Sequence, residues 1–86
     1  MKLNRKFVAH TIAGEYVVVS SDTRLFPGMV RCNKAAAFVV DCLKVEASLD
    51  EIAEKVCARF DVDFETAKQD TADVIEKLRG IGAIDD

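Results

Sequence analysis

The stretch "MVRCNKAAAFVV", residues 29–40, changes character at a single residue. Met29 to Cys32 reads as a short strand, whereas Lys34 onward is rich in alanine and carries apolar residues around most of a helical circumference, as in an element covered on several sides. Asn33 stands between the two, and its side-chain oxygen suits it to accept from the free N–H groups of a new helix. A strand this short, passing at once into a helix, predicts a small sheet with an unpaired border.

The residues before it supply the rest of that sheet. "KFVAHTIAGEYVVVS" is rich in β-branched and aromatic residues and alternates loosely, so Lys6 to Ile12 and Glu15 to Ser20 are expected to form a hairpin that reverses at Gly14. A polar "SSDTR" follows, and Pro27-Gly28 signals a turn before the third strand, Met29 to Cys32.

Three helices follow. The first runs from Lys34 to Lys44 and is expected to be the central one. "SLDE", residues 48–51, is a capping box in which Ser48 and Glu51 each serve the other's N–H, and Leu49, Ile52, Ala53, Val56, Cys57 and Phe60 then recur at helical spacing. "DVD" breaks the second helix, and Asp63 can cap a third that runs from Phe64 to about Arg79 and is stopped by Gly80 or Gly82. Along it, Phe64, Ala67, Thr71, Val74 and Leu78 make one apolar stripe, with Ala72 and Ile75 beside it. The expected fold class is α+β and winged-helix-like, a three-stranded antiparallel sheet followed by three helices.

Residues 1–86 have room for a single domain, since a chain of this size buries only somewhat more than about 60% of its unfolded surface. No run approaches the roughly 18 apolar residues of a membrane span, and no long apolar signal segment follows the N-terminus, so a cytoplasmic location is expected. Net charge is −3, which argues against an electrostatic hold on nucleic acid or anionic lipid. The two parts of the chain differ, however. Residues 1–47 carry seven Lys/Arg against four Asp/Glu, and residues 48–86 carry five against eleven.

Signs of catalysis are missing. His10 is the single histidine and sits in a predicted strand with no cysteine or serine near it in sequence. The cysteines, Cys32, Cys42 and Cys57, are odd in number and widely spaced, without the C-x-x-C spacing of a zinc site or the pairing of a disulfide framework. There is no nucleophile elbow, phosphate loop, zinc-protease or dinucleotide fingerprint, and Asp50, Glu51, Glu54, Asp70, Asp73 and Glu76 fall on polar helix faces. No catalytic residue, metal site or cofactor is assigned.

An open sheet of three strands has two edges, and each offers unpaired N–H and C=O groups to an incoming strand. If the third helix lies beside Met29 to Cys32, the two form a groove with backbone groups on one wall and Ala72, Ile75 and Leu78 on the other. "GEYVVVS", the short strand ending in Asn33, "SLDEIAEKV", "FDVD" and "DVIEKLRGIGAI" resemble, in that order, the PqqD family of small cytoplasmic proteins, which are similar to the peptide-binding domains called RiPP recognition elements.

The resemblance implies a peptide chaperone. It would bind the leader segment of a ribosomally made precursor peptide by strand addition and present it to a modifying enzyme, often a radical SAM enzyme, in pathways such as PQQ biosynthesis. Carried over by position, it implies that the backbone of Met29, Val30, Arg31 and Cys32 pairs with the leader and that Lys68, Thr71, Ala72, Ile75 and Arg79 line the groove. Alternation should aim Val30 and Cys32 at one face and Met29 and Arg31 at the other.

Two other readings use the same architecture. A winged-helix DNA-binding regulator needs a basic recognition helix, but the third helix has Glu65, Asp70, Asp73 and Glu76 against Lys68, Lys77 and Arg79. An assembly domain would dock on a maturase or dimerise through an edge, so the expected state is a monomer or an edge-mediated dimer.

Overall fold

A computed structural model describes residues 1–22, 24 and 28–85. The chain runs β1 (Lys2–Leu3), β2 (Phe7–Ile12), β3 (Glu15–Ser20), β4 (Met29–Cys32), α1 (Lys34–Cys42), α2 (Leu49–Phe60), α3 (Phe64–Gly80) and β5 (Ile84–Asp85). Strands β2, β3 and β4 form an antiparallel sheet in that order, and three helices follow, the α+β, winged-helix-like arrangement that the sequence predicts. The turn expected at Pro27 lies outside the described residues.

The β2–β3 hairpin pairs Phe7 with Ser20 through to Ile12 with Glu15. Its two connecting residues both have positive φ, Ala13 at 53° and Gly14 at 82°. That is the backbone which matches the right-handed twist of paired strands, and alanine enters it against a steric preference.

Each helix start has a local cause, with one exception. Asn33 Oδ1 accepts from the Ala36 N–H at 2.8 Å, and the Ser48–Glu51 capping box is complete, with bonds of 3.2 and 3.1 Å. Asp63 stands at the N-cap of α3 in extended conformation, but its side chain makes no capping bond, contrary to expectation. A left-handed Asp61 ends α2. Helix α3 continues through Gly80, and the chain reverses at Gly82, whose φ is +79°.

One face of the sheet carries Phe7 and Val18, which are buried with Val39, Val40, Leu43, Ile52, Val56, Ala67, Ile75, Leu78 and Ala83. The tightest helix pair is α2 with α3. Helix α1 is less enclosed than its composition suggests. Only Val39 and Val40 are buried, and Ala35, Ala36, Ala37 and Phe38 remain half-buried. It ends at Cys42, with Leu43 as its cap.

The other sheet face has an apolar row running straight across three strands, since Val8 pairs with Val19 and Val19 with Met29. Val8 and Met29 are 39% and 51% exposed. This face also carries His10, which is exposed and opposite Val17.

The pair β1–β5 lies beyond the expected set of strands. Leu3 faces Ile84, and the Asn4 N–H donates to Ala83 O at 2.7 Å. The Leu3 N–H donates to Leu43 O at 2.8 Å and the Ala47 N–H to Met1 O at 3.0 Å, so the two ends of the chain and the α1–α2 connection are laced together. Two-residue strands have no periodicity to detect, and only the return of the chain after α3 creates them.

The hairpin yields a stability test. Ala13→Gly removes the left-handed strain at an exposed turn and should raise stability by up to about 1 kcal/mol, the steric relief being partly offset by glycine's extra freedom when unfolded. Urea denaturation of both proteins measures it, and an unchanged or lower midpoint would contradict the strain argument.

Candidate functional site

Strand β4 is an edge. Tyr16 pairs with Cys32, Val17 with Arg31, Val18 with Val30 and Val19 with Met29, and among the described residues nothing pairs with its other side. Met29 and Arg31 are exposed while Val30 and Cys32 are half-buried, so the residues alternate between the outer face and the helix side as expected. The backbone of an edge strand leaves alternate N–H and C=O groups without a ladder partner.

Beside this edge is a cavity of about 120 Å³ lined by Val30, Arg31, Cys32, Asn33, Ala36, Val74, Lys77 and Leu78. Three elements make it. Strand β4 contributes the floor and the open backbone, Ala36 comes from the first turn of α1, and Val74, Lys77 and Leu78 come from one face of α3, at spacings of three and four residues. Small side chains create the space: alanine at position 36 and cysteine at 32 leave room that larger residues would occupy.

Burial of Cys32 pushes its thiol above the ordinary value, so the cavity floor carries a neutral, weakly polar group. Its Sγ lies 3.8 Å from Val30 O. At the outer face, Arg31 Nε is 3.5 Å from Glu15 Oε2 with both side chains exposed, an ion pair of small energetic weight.

The residues expected on α3 lie elsewhere. Thr71 is fully buried and donates from Oγ1 to Ala67 O at 2.7 Å, which satisfies its hydroxyl within the helix. Ile75 is 6% exposed and belongs to the core. Lys68 pairs with Asp50 at 3.2 Å and lies over the Phe64 ring, in a hollow that it shares with Leu49 and Ala72. Arg79 lines another hollow with Met1, Leu49, Ala72, Ile75 and Glu76. None of the five lines the cavity beside β4.

The reason is rotational. Ala72 and Val74 are separated by about 200° around a helix of 3.6 residues per turn, so a helix that presents Val74 to β4 turns Ala72 away. Of the wall expected from sequence, Leu78 lines this cavity, and Val74 and Lys77 line it where Ala72 and Ile75 were expected. The signal was present as Val74 and Leu78, four apart with Lys77 between, but the same periodicity fits a core stripe.

Strand β3, the ladder partner of β4, is tied to α1 by a polar contact. Tyr16, which pairs with Cys32, donates its hydroxyl to Asp41 Oδ1 at 2.8 Å, and Lys44 Nζ lies 3.1 Å from the same oxygen. Burial, reinforced by the hydrogen bond and the charge of Asp41, pushes the Tyr16 hydroxyl well above its ordinary value. On Asp41, burial acts to raise the carboxyl, but hydrogen bonds from Tyr16 and Lys44 and the charge of Lys44 outweigh it and hold the group below its ordinary 3.8.

Among the described residues, no group of three His, Cys, Asp or Glu side chains could hold a metal ion, and no helix is long and apolar enough to cross a membrane.

Comparison with known proteins places this geometry in context. The sequence pattern of a family described as coenzyme PQQ synthesis protein D (PqqD) matches residues 15–84. Among solved structures, the fold is similar to that of TbiB1 in complex with the TbiA(beta) leader peptide, with a TM-score of 0.79 and 22% identity over 96% of this chain and 93% of that one. It is also similar to lasso peptide synthetase B1 complexed with the leader peptide, with a TM-score of 0.77 and 18% identity over 95% and 93%. At these identities the shared property is the fold. No curated protein matches the chain.

The Tyr16–Asp41 tie gives a pH prediction. A depressed carboxyl adds stability above its ordinary value and loses it as pH falls through the folded value. Tyr16→Phe should therefore cost up to about 1 kcal/mol near pH 6, reduced by the exposure of Asp41. The gap from the parent chain should narrow once the pH falls below 3.8. Thermal melts of both proteins across this range would reveal it, and a gap independent of pH would rule out the carboxylate's part.

Proposed function

The chain belongs to the PqqD family, and from that premise we propose that it is a peptide chaperone. It takes the leader segment of a ribosomally synthesised precursor peptide as an antiparallel strand on the open edge of β4 and presents that precursor to a modifying enzyme. The observation that carries this reading is the coincidence of an unpaired strand edge with a partly apolar cavity at its side. Backbone groups supply affinity that is indifferent to sequence, and the cavity selects side chains. Two structures of the same fold are complexes with leader peptides, which supports a leader peptide as the ligand here.

In this reading Met29, Val30, Arg31 and Cys32 form the pairing strand, and Ala36, Val74, Lys77 and Leu78 form the wall of the groove. An antiparallel guest has its N-terminal end beside Cys32 and its C-terminal end beside Met29. The core of the precursor, which follows the leader, therefore leaves toward Met29 and the apolar row of Val8, Val19 and Met29. A modifying enzyme working on that core reaches it at this end. We propose a radical SAM enzyme for that partner, in a PQQ-like or another peptide-modifying pathway, with any cluster chemistry belonging to the enzyme. A second copy of this chain is the rival occupant of the same edge, and sedimentation with and without peptide separates the two, since leader binding should compete with such a dimer.

The test is a titration of the isotope-labelled chain with the leader encoded beside its gene. Amide resonances of residues 29–32 and of Val74, Lys77 and Leu78 should shift and saturate. Shifts confined to other surfaces, or none with any cognate leader, would dismiss the proposal. A companion variant, Ala36→Leu, fills the cavity from α1 with a good helix former and leaves the strand's backbone free. It should weaken leader binding about tenfold or more in calorimetry, as the loss of an interface anchor does, while the fold remains intact.

A further inference from the structure

The cavity beside β4 has a chemistry more particular than its role as a peptide groove requires. Its walls Val30, Cys32, Ala36, Val74 and Leu78 are apolar, and its volume is about 120 Å³. An apolar cavity of about 150 Å³ accommodates benzene, so this one has room for a single branched aliphatic side chain. The polar remainder of its lining is asymmetric in charge. Arg31 and Lys77 line it, and no carboxylate does among the described residues. This occurs in a chain with 15 acidic against 12 basic residues, on a helix whose Asp70, Asp73 and Glu76 all precede Lys77 in sequence.

The two cations differ in their engagements. Arg31 faces Glu15 on the outer side of the sheet at 3.5 Å. Lys77 forms no ion pair among the described residues. Its closest acidic neighbour by helical spacing is Asp73, one turn earlier, whose Oδ1 takes a hydrogen bond from Gln69 Nε2 at 3.0 Å. A cation at the rim of that hollow with no ion-pair partner among the described residues is open to an incoming carboxylate, with the modest attraction of a solvent-accessible pair.

Strand geometry then sets the spacing. Side chains of an added strand that face the helix side are two residues apart, about 6.8 Å, so one that fills the cavity has a neighbour on the same face within reach of a lysine at its rim.

We infer that the segment bound on β4 carries a branched aliphatic residue in the cavity and, two positions away on the same face, an aspartate or glutamate held by Lys77. The inference rests on the strand-addition reading above and extends it by assigning Lys77 as the residue that selects for charge. Because Lys77 is exposed, its substitution leaves the core untouched.

The test is selection of a random decapeptide display library against the full chain and against its Lys77→Glu variant. Peptides enriched by the parent should pair Leu, Ile or Val with Asp or Glu two positions apart, and Lys77→Glu should turn the acidic position basic. Calorimetry of one selected peptide and its amide counterpart, Glu→Gln or Asp→Asn, should give about a fivefold difference at low salt, the size of a solvent-accessible ion pair. That difference should vanish against Lys77→Gln. Aliphatic enrichment without an acidic preference, or a preference that survives Lys77→Glu, overturns this inference and leaves strand addition standing. Failure to enrich any peptide overturns both.

Discussion

Strand β4 pairs on one side only and is followed, after a single residue, by a helix. That constraint organises the rest of the molecule. Four residues form too short a strand to stabilise themselves, so β4 owes its place to the ladder with β3 and to the side chains it presents to the core. Asn33 then converts strand to helix by satisfying the Ala36 N–H.

An open edge would be a liability without the features around it. Arg31 puts a charge on it, and β4 is short, two common means of discouraging indiscriminate pairing between sheets. Against this background the cavity gives an incoming strand a reason to stop at one register. Filling an apolar hollow is favourable only when the side chain that faces it is apolar and of the right size, whereas a slip of one residue turns every side chain of the guest to the other face. Under the proposed function, affinity from the backbone and discrimination from the cavity are thus supplied by different parts of one short segment.

The position of α3 decides what that cavity can recognise. The helix is fixed along its length by α2 and at its far end by the β1–β5 pair, through which Asn4 and Ala83, and Leu3 and Leu43, are bonded. These attachments are remote from β4, yet they set the rotation that brings Val74, Lys77 and Leu78 to the groove and takes Lys68, Ala72 and Arg79 to the opposite side, where they meet residues of α2 and the N-terminus. Under the proposed function, selectivity at one edge of the sheet depends on packing at the other end of the domain.

The sequence by itself determined whatever rests on neighbours in the chain. The hairpin about Gly14, the Asn33 and Ser48 caps, the alternation of Met29 to Cys32 and the order of three strands and three helices all follow from turn chemistry, capping and periodicity, which act over a few residues. Tertiary structure alone decided which flank of α3 faces the strand, that Thr71 and Ile75 are interior, that α1 stays half open, and that residues 2–3 and 84–85 pair. Each of those depends on where a remote segment comes to rest. Periodicity reports that a helix has an apolar side, but two adjacent apolar flanks differ only in what they meet, and that is settled by long-range packing.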